Sequence, residues 1–148
     1  MLESLPRILV VEDDPVTADM LKELLASAGY EALWAPDVIG ALLALERQPV
    51  DLITLDIELG TYSGRGLLAL LKADQRTSHI PVIILSSAQI DDSVRRLADR
   101  VLGKPFNIGP LLQAIGGFLS RGLMTLKTWP GSRPEDNPEW EVAREVLD

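Results

Sequence analysis

The sequence predicts an α/β fold with a parallel sheet covered by helices on both faces. Two observations carry this. Short β-branched runs alternate with amphipathic stretches in five βα units between residues 7 and 120, the pattern that a parallel sheet with crossover helices requires. The run at 8–11 is continuously apolar, as a strand covered on both faces must be, and those at 52–55 and 82–85 read as further buried strands. A length of 148 residues with 47% hydrophobic content suits a single domain able to bury its own core.

Taken in order, residues 8–11 form the first strand. Asp14 then supplies an N-cap and Pro15 the first helical position, with Val16, Met20, Leu24 and Ala28 at helical spacing until Gly29 stops the helix. Residues 32–35 are a weaker strand, and Asp37 caps a helix whose apolar face is Val38, Ala41, Leu42 and Leu45. Residues 52–55 form the third strand, ending on Asp56, and a loop with Gly60, Ser63 and Gly64 leads to a helix carrying Leu67, Leu68, Leu70 and Leu71. Pro81 opens a strand over 82–85, and Asp91 or Asp92 starts a fourth helix through Leu97. Residues 100–103 are a short strand, and Ile108, Leu111, Leu112, Ile115 and Leu119 mark the last helix. Residues 1–120 are read as one domain. Residues 121–148 hold Pro130, Pro134 and Pro138 with Trp129 and Trp140, and read as a linker-like tail whose segment 139–147 has helical potential. Large aromatic rings there are expected to pack on the domain or on a partner.

Composition excludes several classes of chemistry. Cysteine is absent and His79 is the single histidine, which removes disulfides, thiolate catalysis and Cys- or His-rich metal centres. With 14 Lys and Arg against 22 Asp and Glu, the net charge is −8, so direct DNA binding is not expected. The start is not a signal peptide, because a single Arg7 precedes an apolar run of only four residues. No run reaches the ~20 apolar residues of a membrane span. A soluble cytoplasmic protein without membrane insertion is expected. His79, in a polar loop before the fourth strand, and the pair Arg95 and Arg96 are read as solvated.

In an open parallel sheet, ligands bind beyond the carboxyl ends of the strands, where strand order reverses. Glu12, Asp13 and Asp14 follow the first strand, Asp56 ends the third, Ser86 and Ser87 follow the fourth, and Lys104 follows the fifth. Each has a plain structural reading when taken alone: acids at a helix start, a turn cap, a loop hydroxyl, a surface lysine. Gathered at one edge, however, the carboxylates repel, and a cation or a bound proton must relieve that repulsion. Hard oxygen donors of this kind favour Mg2+.

The motifs Ile8-Leu-Val-Val-Glu-Asp-Asp-Pro15, Asp51-Leu-Ile-Thr-Leu-Asp56, Ile80-Pro-Val-Ile-Ile-Leu-Ser86 and Lys104-Pro-Phe106 resemble, in that order, the receiver domain of bacterial two-component response regulators. The resemblance covers residues 6–120 and implies a flavodoxin-like, doubly wound (βα)5 fold with strand order 2-1-3-4-5. It implies that Asp56 is the phosphoacceptor and that Glu12, Asp13 and Asp56 bind Mg2+ together with the backbone carbonyl of Glu58. Ser86 would hydrogen-bond the phosphoryl group, Lys104 would pair with it, and Lys104-Pro105 would be a cis peptide. The function implied is that of a switch in a phosphorelay, with only self-directed transfer chemistry. The implied partners are a histidine kinase or phosphotransfer protein and an output protein of unspecified identity; self-association as a homodimer is compatible with it.

Three features depart from the family pattern. Gly60 stands where proline is common, Glu58 puts a carboxylate two residues from Asp56, and the segment between Ser86 and Lys104 is short, with Val101 where a switch aromatic often lies. Phosphorylation is expected to survive and the partner surface to differ. With 28 residues after position 120 and no basic patch among them, the tail is small for a helix-turn-helix output domain, and a stand-alone, chemotaxis-regulator-like receiver is expected. Two alternatives stay open. One is a pseudo-receiver adaptor that signals without phosphate. The other is an aspartate-nucleophile phosphohydrolase, since Asp56-Ile-Glu58 is similar to the haloacid dehalogenase motif, although that motif needs a second Asp and usually lies on the first strand.

Overall fold

A computed structural model of the chain describes residues 5–59, 63–87 and 89–127. Strands and helices alternate as β1 (Arg7–Val11), α1 (Pro15–Ser27), β2 (Glu31–Ala35), α2 (Val38–Arg47), β3 (Leu52–Leu55), α3 (Gly64–Ala73), β4 (Val82–Ser86), α4 (Asp92–Leu97), β5 (Arg100–Gly103) and α5 (Ile108–Lys127). The five strands pair in parallel in the order β2-β1-β3-β4-β5, which is the flavodoxin-like doubly wound topology. Strand order reverses between β1 and β3, and the crevice opens at their carboxyl ends.

Because side chains alternate across a strand, the sheet divides its apolar residues between two layers. Leu9, Val11, Ile53, Leu55, Val82 and Ile84 face Val38, Ala41, Leu67, Leu68, Leu71 and Val94 on one side. Ile8, Val10, Leu52, Ile83 and Leu85 face Leu21, Leu25, Leu111 and Ile115 on the other. Glu12 continues the parity of Ile8 and Val10, and Asp56 that of Leu52; both polar side chains cap the second layer at the same edge.

Local signals set the helix starts. The Asp14 carboxylate accepts from the Thr17 hydroxyl at 2.5 Å and from its N–H at 3.2 Å, and these bonds hold the Asp14 carboxyl below the usual value. Asp37 accepts from Gly40 N–H at 2.7 Å. Of the two acids offered as the start of α4, Asp91 is the cap and Asp92 the first helical residue; Asp91 accepts from the Ser93 hydroxyl at 2.7 Å and Val94 N–H at 3.0 Å. Gly29, with φ 96°, ends the turn after α1, a conformation that suits glycine.

The buried faces of three helices differ from the expected ones. In α1 the core face is Ala18, Leu21 and Leu25, whereas Val16 is 75% and Met20 45% exposed. Leu42 of α2 and Leu70 of α3 also lie in solvent. These segments carry more apolar residues than one face holds, and the smaller Ala18 and Ala41 allow close approach to the sheet. Leu25→Ala is expected to cost about 3 kcal/mol, and Val16→Ala to stay within about 0.5 kcal/mol of wild type; urea denaturation of both variants checks the assignment.

Helix α5 passes residue 120 and continues to Lys127. The remainder of the tail, including Trp129, Trp140 and the segment 139–147, lies outside the described residues. Among the described residues no helix is long and apolar enough to cross a membrane.

Candidate functional site

Five of the residues singled out at strand ends meet at one edge of the sheet. Glu12 directly follows β1 and Asp56 directly follows β3, and the ladder continues one step past the strands because Asp56 N–H donates to Val11 O at 3.0 Å. Carboxylate oxygens of Glu12, Asp13 and Asp56 all lie within 4.8 Å of one another. Glu12 is 3% and Asp56 7% exposed, while Asp13 faces solvent. Asp14 does not join them; its carboxylate is engaged at the start of α1.

Lys104 reaches the pair from the far side of β3. Its N–H donates to Ser86 O at 2.9 Å, which extends the β4–β5 pairing by one residue, and the cis Lys104-Pro105 peptide follows. The ammonium donates to both Glu12 oxygens at 3.0 Å and to Asp56 Oδ2 at 3.1 Å. Burial pushes the Glu12 carboxyl up to about 7, the hydrogen bond from Lys104 pulling against this and the Asp56 charge adding to it. For Lys104, burial lowers the value, but the bonds to Glu12 and Asp56 outweigh it and the net shift is upward. Two buried carboxylates and one ammonium leave a net negative, oxygen-rich crevice, and hard oxygen donors with one exposed edge suit a small divalent cation.

Ser86 is the last residue of β4, buried, and paired in register with Gly103, next to Lys104. Glu58 stays out of the carboxylate group: its side chain is exposed, and its N–H donates to Asp56 Oδ1 at 3.0 Å, fixing that carboxylate from the loop side. His79 is exposed at the opposite edge, as expected, where it lines a groove of about 790 Å3 between α2 and α3 with Leu42, Leu45, Val50, Leu70 and Ile80. The groove is remote from the acidic crevice.

Two contributors escaped the sequence. Gly64 opens α3 and packs on the Asp56–Ile57 backbone, its N–H donating to Ile57 O at 2.9 Å. Trp34, on the edge strand β2, donates from its indole nitrogen to the Glu12 carbonyl at 2.7 Å. The only available signal for either was position: a glycine at a helix start after the acidic loop, and an aromatic beside the end of β1.

The comparisons agree with the geometry. The model of the response regulator receiver domain matches residues 8–116. The chain is 38% identical over 122 residues to the DNA-binding dual master transcriptional regulator RpaA of a Synechocystis strain, covering 79% of this chain and 50% of RpaA, so it spans about half the length of that relative. It is 29% identical over 117 residues to the polar-differentiation response regulator DivK of Brucella ovis, covering 76% of this chain and 94% of DivK. Among solved structures, the response regulator TrrA of Thermotoga maritima, in complex with Mg(2+)-BeF, superposes with a TM-score of 0.71 at 29% identity over 77% of this chain and 99% of that one. With the topology, the acidic crevice and the order of its residues all in agreement, the chain belongs to the family of response regulator receiver domains of two-component systems.

Proposed function

We propose that the chain is a phosphorylation-dependent switch that accepts a phosphoryl group on Asp56 from a histidine kinase or phosphotransfer protein and acts through protein contacts. The observation that carries this is the buried Asp56 carboxylate, held by Glu58 N–H and Lys104 beside Glu12 and Asp13. An Asp56 oxygen attacks phosphorus in line, the P–N bond of the donor phosphohistidine breaks, and the imidazole leaves with the electron pair. Glu12, Asp13, Asp56 and the Glu58 carbonyl would hold Mg2+, which neutralises charge on the phosphoryl oxygens when bound. Lys104 pairs with the new phosphate and Ser86 donates a hydrogen bond to it. Lys104 leaves Glu12 to do so, and this biases the partner surface between two states.

Incubation with Mg2+ and acetyl phosphate, followed by intact mass, tests the proposal. One labile phosphoryl adduct is expected for wild type and none for Asp56→Asn. Steady release of phosphate from many small phosphoesters would instead favour a hydrolase, and no adduct would favour an adaptor that signals without phosphate.

The output surface is expected to depart from the family's usual one, because α4 has only six residues and half-buried Val101 occupies the strand beside it. Amide shifts on phosphorylation should therefore be small along α4 and β5. Large, family-typical shifts there would contradict this.

A further inference from the structure

We propose that Trp34 is a positioning residue for the metal-binding loop, its indole N–H fixing the main chain of Glu12 so that Glu12 and Asp13 are pre-arranged for a divalent cation. This rests on reading Glu12, Asp13 and Asp56 as a Mg2+ site.

The need for such a residue follows from where β2 ends. Val10 and Val11 of β1 pair with Trp34 and Ala35, and Glu12 N–H still reaches Ala35 O at 3.1 Å. In a parallel ladder the next donor to the Glu12 carbonyl would be Asp37 N–H, but β2 has ended at Ala35 and Asp37 is already turned to cap α2. The Glu12 carbonyl therefore lies where the sheet stops supplying donors, and the Trp34 indole takes it at 2.7 Å. By strand alternation Trp34 shares its face with Val10 and Glu12, so the ring crosses only one residue of β1 to make the bond. It keeps 38% of its surface in solvent while doing so. Burial alone is thus a weak account of an indole at this position, whereas its single donor has a specific partner.

The consequence concerns the carboxylates. Glu12 and Asp56 are buried with oxygens within 4.8 Å of each other and of Asp13, and their mutual repulsion favours a loop that spreads. A residue whose N–H and C=O are both bonded, so that the peptide units on either side of it are held, resists that spreading. Cation binding then has less ordering to accomplish.

The test uses the full chain and Mg2+ alone, titrated by calorimetry, with the unfolding midpoint in EDTA measured in parallel. Two variants are compared with wild type: Trp34→Phe, and a chain carrying 3-benzothienylalanine at position 34, which exchanges only the indole N–H for sulfur. Both are expected to bind Mg2+ about five- to tenfold more weakly, and at saturating Mg2+ both should form the acetyl phosphate adduct at the wild-type rate. Wild-type Mg2+ affinity in the variants, with or without a lower unfolding midpoint, would overturn the proposal and leave the magnesium reading standing. A wild-type chain that binds no Mg2+ would overturn both.

Discussion

Gly64→Ala is expected to destabilise the domain by about 3 kcal/mol, with the acetyl phosphate adduct forming more slowly even under conditions where the variant is folded. A Cβ at this position would meet the Asp56 carbonyl oxygen inside contact distance, and would sit 2.7 Å from Ile57 Cα and 2.9 Å from Ile57 O. All three atoms are backbone, so no rotamer change relieves the clash, and overpacking of a rigid site costs about 1–3 kcal/mol or more. The φ of Gly64 is not positive; space, not backbone freedom, requires the glycine. Relief can come only by moving α3 or the Asp56–Ile57 segment, and the second of these shifts the proposed phosphoacceptor against Glu12 and Lys104.

Gly66 provides the control within the same helix. Its added Cβ meets nothing within 4 Å, so Gly66→Ala should stabilise by about 0.5–1 kcal/mol through helix propensity alone. Opposite signs two residues apart in urea denaturation would establish the packing explanation. Equal and small effects would refute it.

The contrast between these two glycines shows what a sequence can and cannot convey. The strands were legible because continuous apolar runs bounded by polar turns have few alternatives, and the caps Asp14 and Asp37 because capping is decided within four residues. The strand-end rule also located Glu12, Asp13, Asp56 and Lys104, since parallel topology forces those positions to one edge. Helix faces were less legible. Val16, Met20 and Leu24 satisfy helical spacing as well as Ala18, Leu21 and Leu25 do, and only the sheet decides between them. Less legible still was the close approach of Gly64 to the Asp56–Ile57 backbone, and least legible were contacts between distant segments: the lysine donating to two carboxylates and the indole on the Glu12 carbonyl. No local pattern encodes a partner 22, 48 or 92 positions away.

Lys104→Met should cost about 3 kcal/mol in EDTA and much less at saturating Mg2+. The ammonium is the one cation hydrogen-bonded to Glu12 and Asp56 among the described residues, and methionine keeps most of its bulk without the charge. Removing one partner of a buried ion pair ordinarily costs about 3–5 kcal/mol because the other charge is left uncompensated. The low end applies here for two reasons. Lys104 keeps 20% of its side-chain surface in water, and Glu12, already pushed up to about 7 by burial, takes a proton more readily once the ammonium is gone. A divalent ion held by the same carboxylates would supply the missing positive charge. The gap between variant and wild-type melting temperatures should therefore narrow as Mg2+ rises, through greater stabilisation of the variant. If the gap stays constant across the titration, the lysine and the metal do not act on the same carboxylates, and the assignment of Glu12 and Asp56 as shared ligands falls. If no gap exists in EDTA, Lys104 contributes nothing to holding the crevice together, and its role begins only with the phosphoryl group.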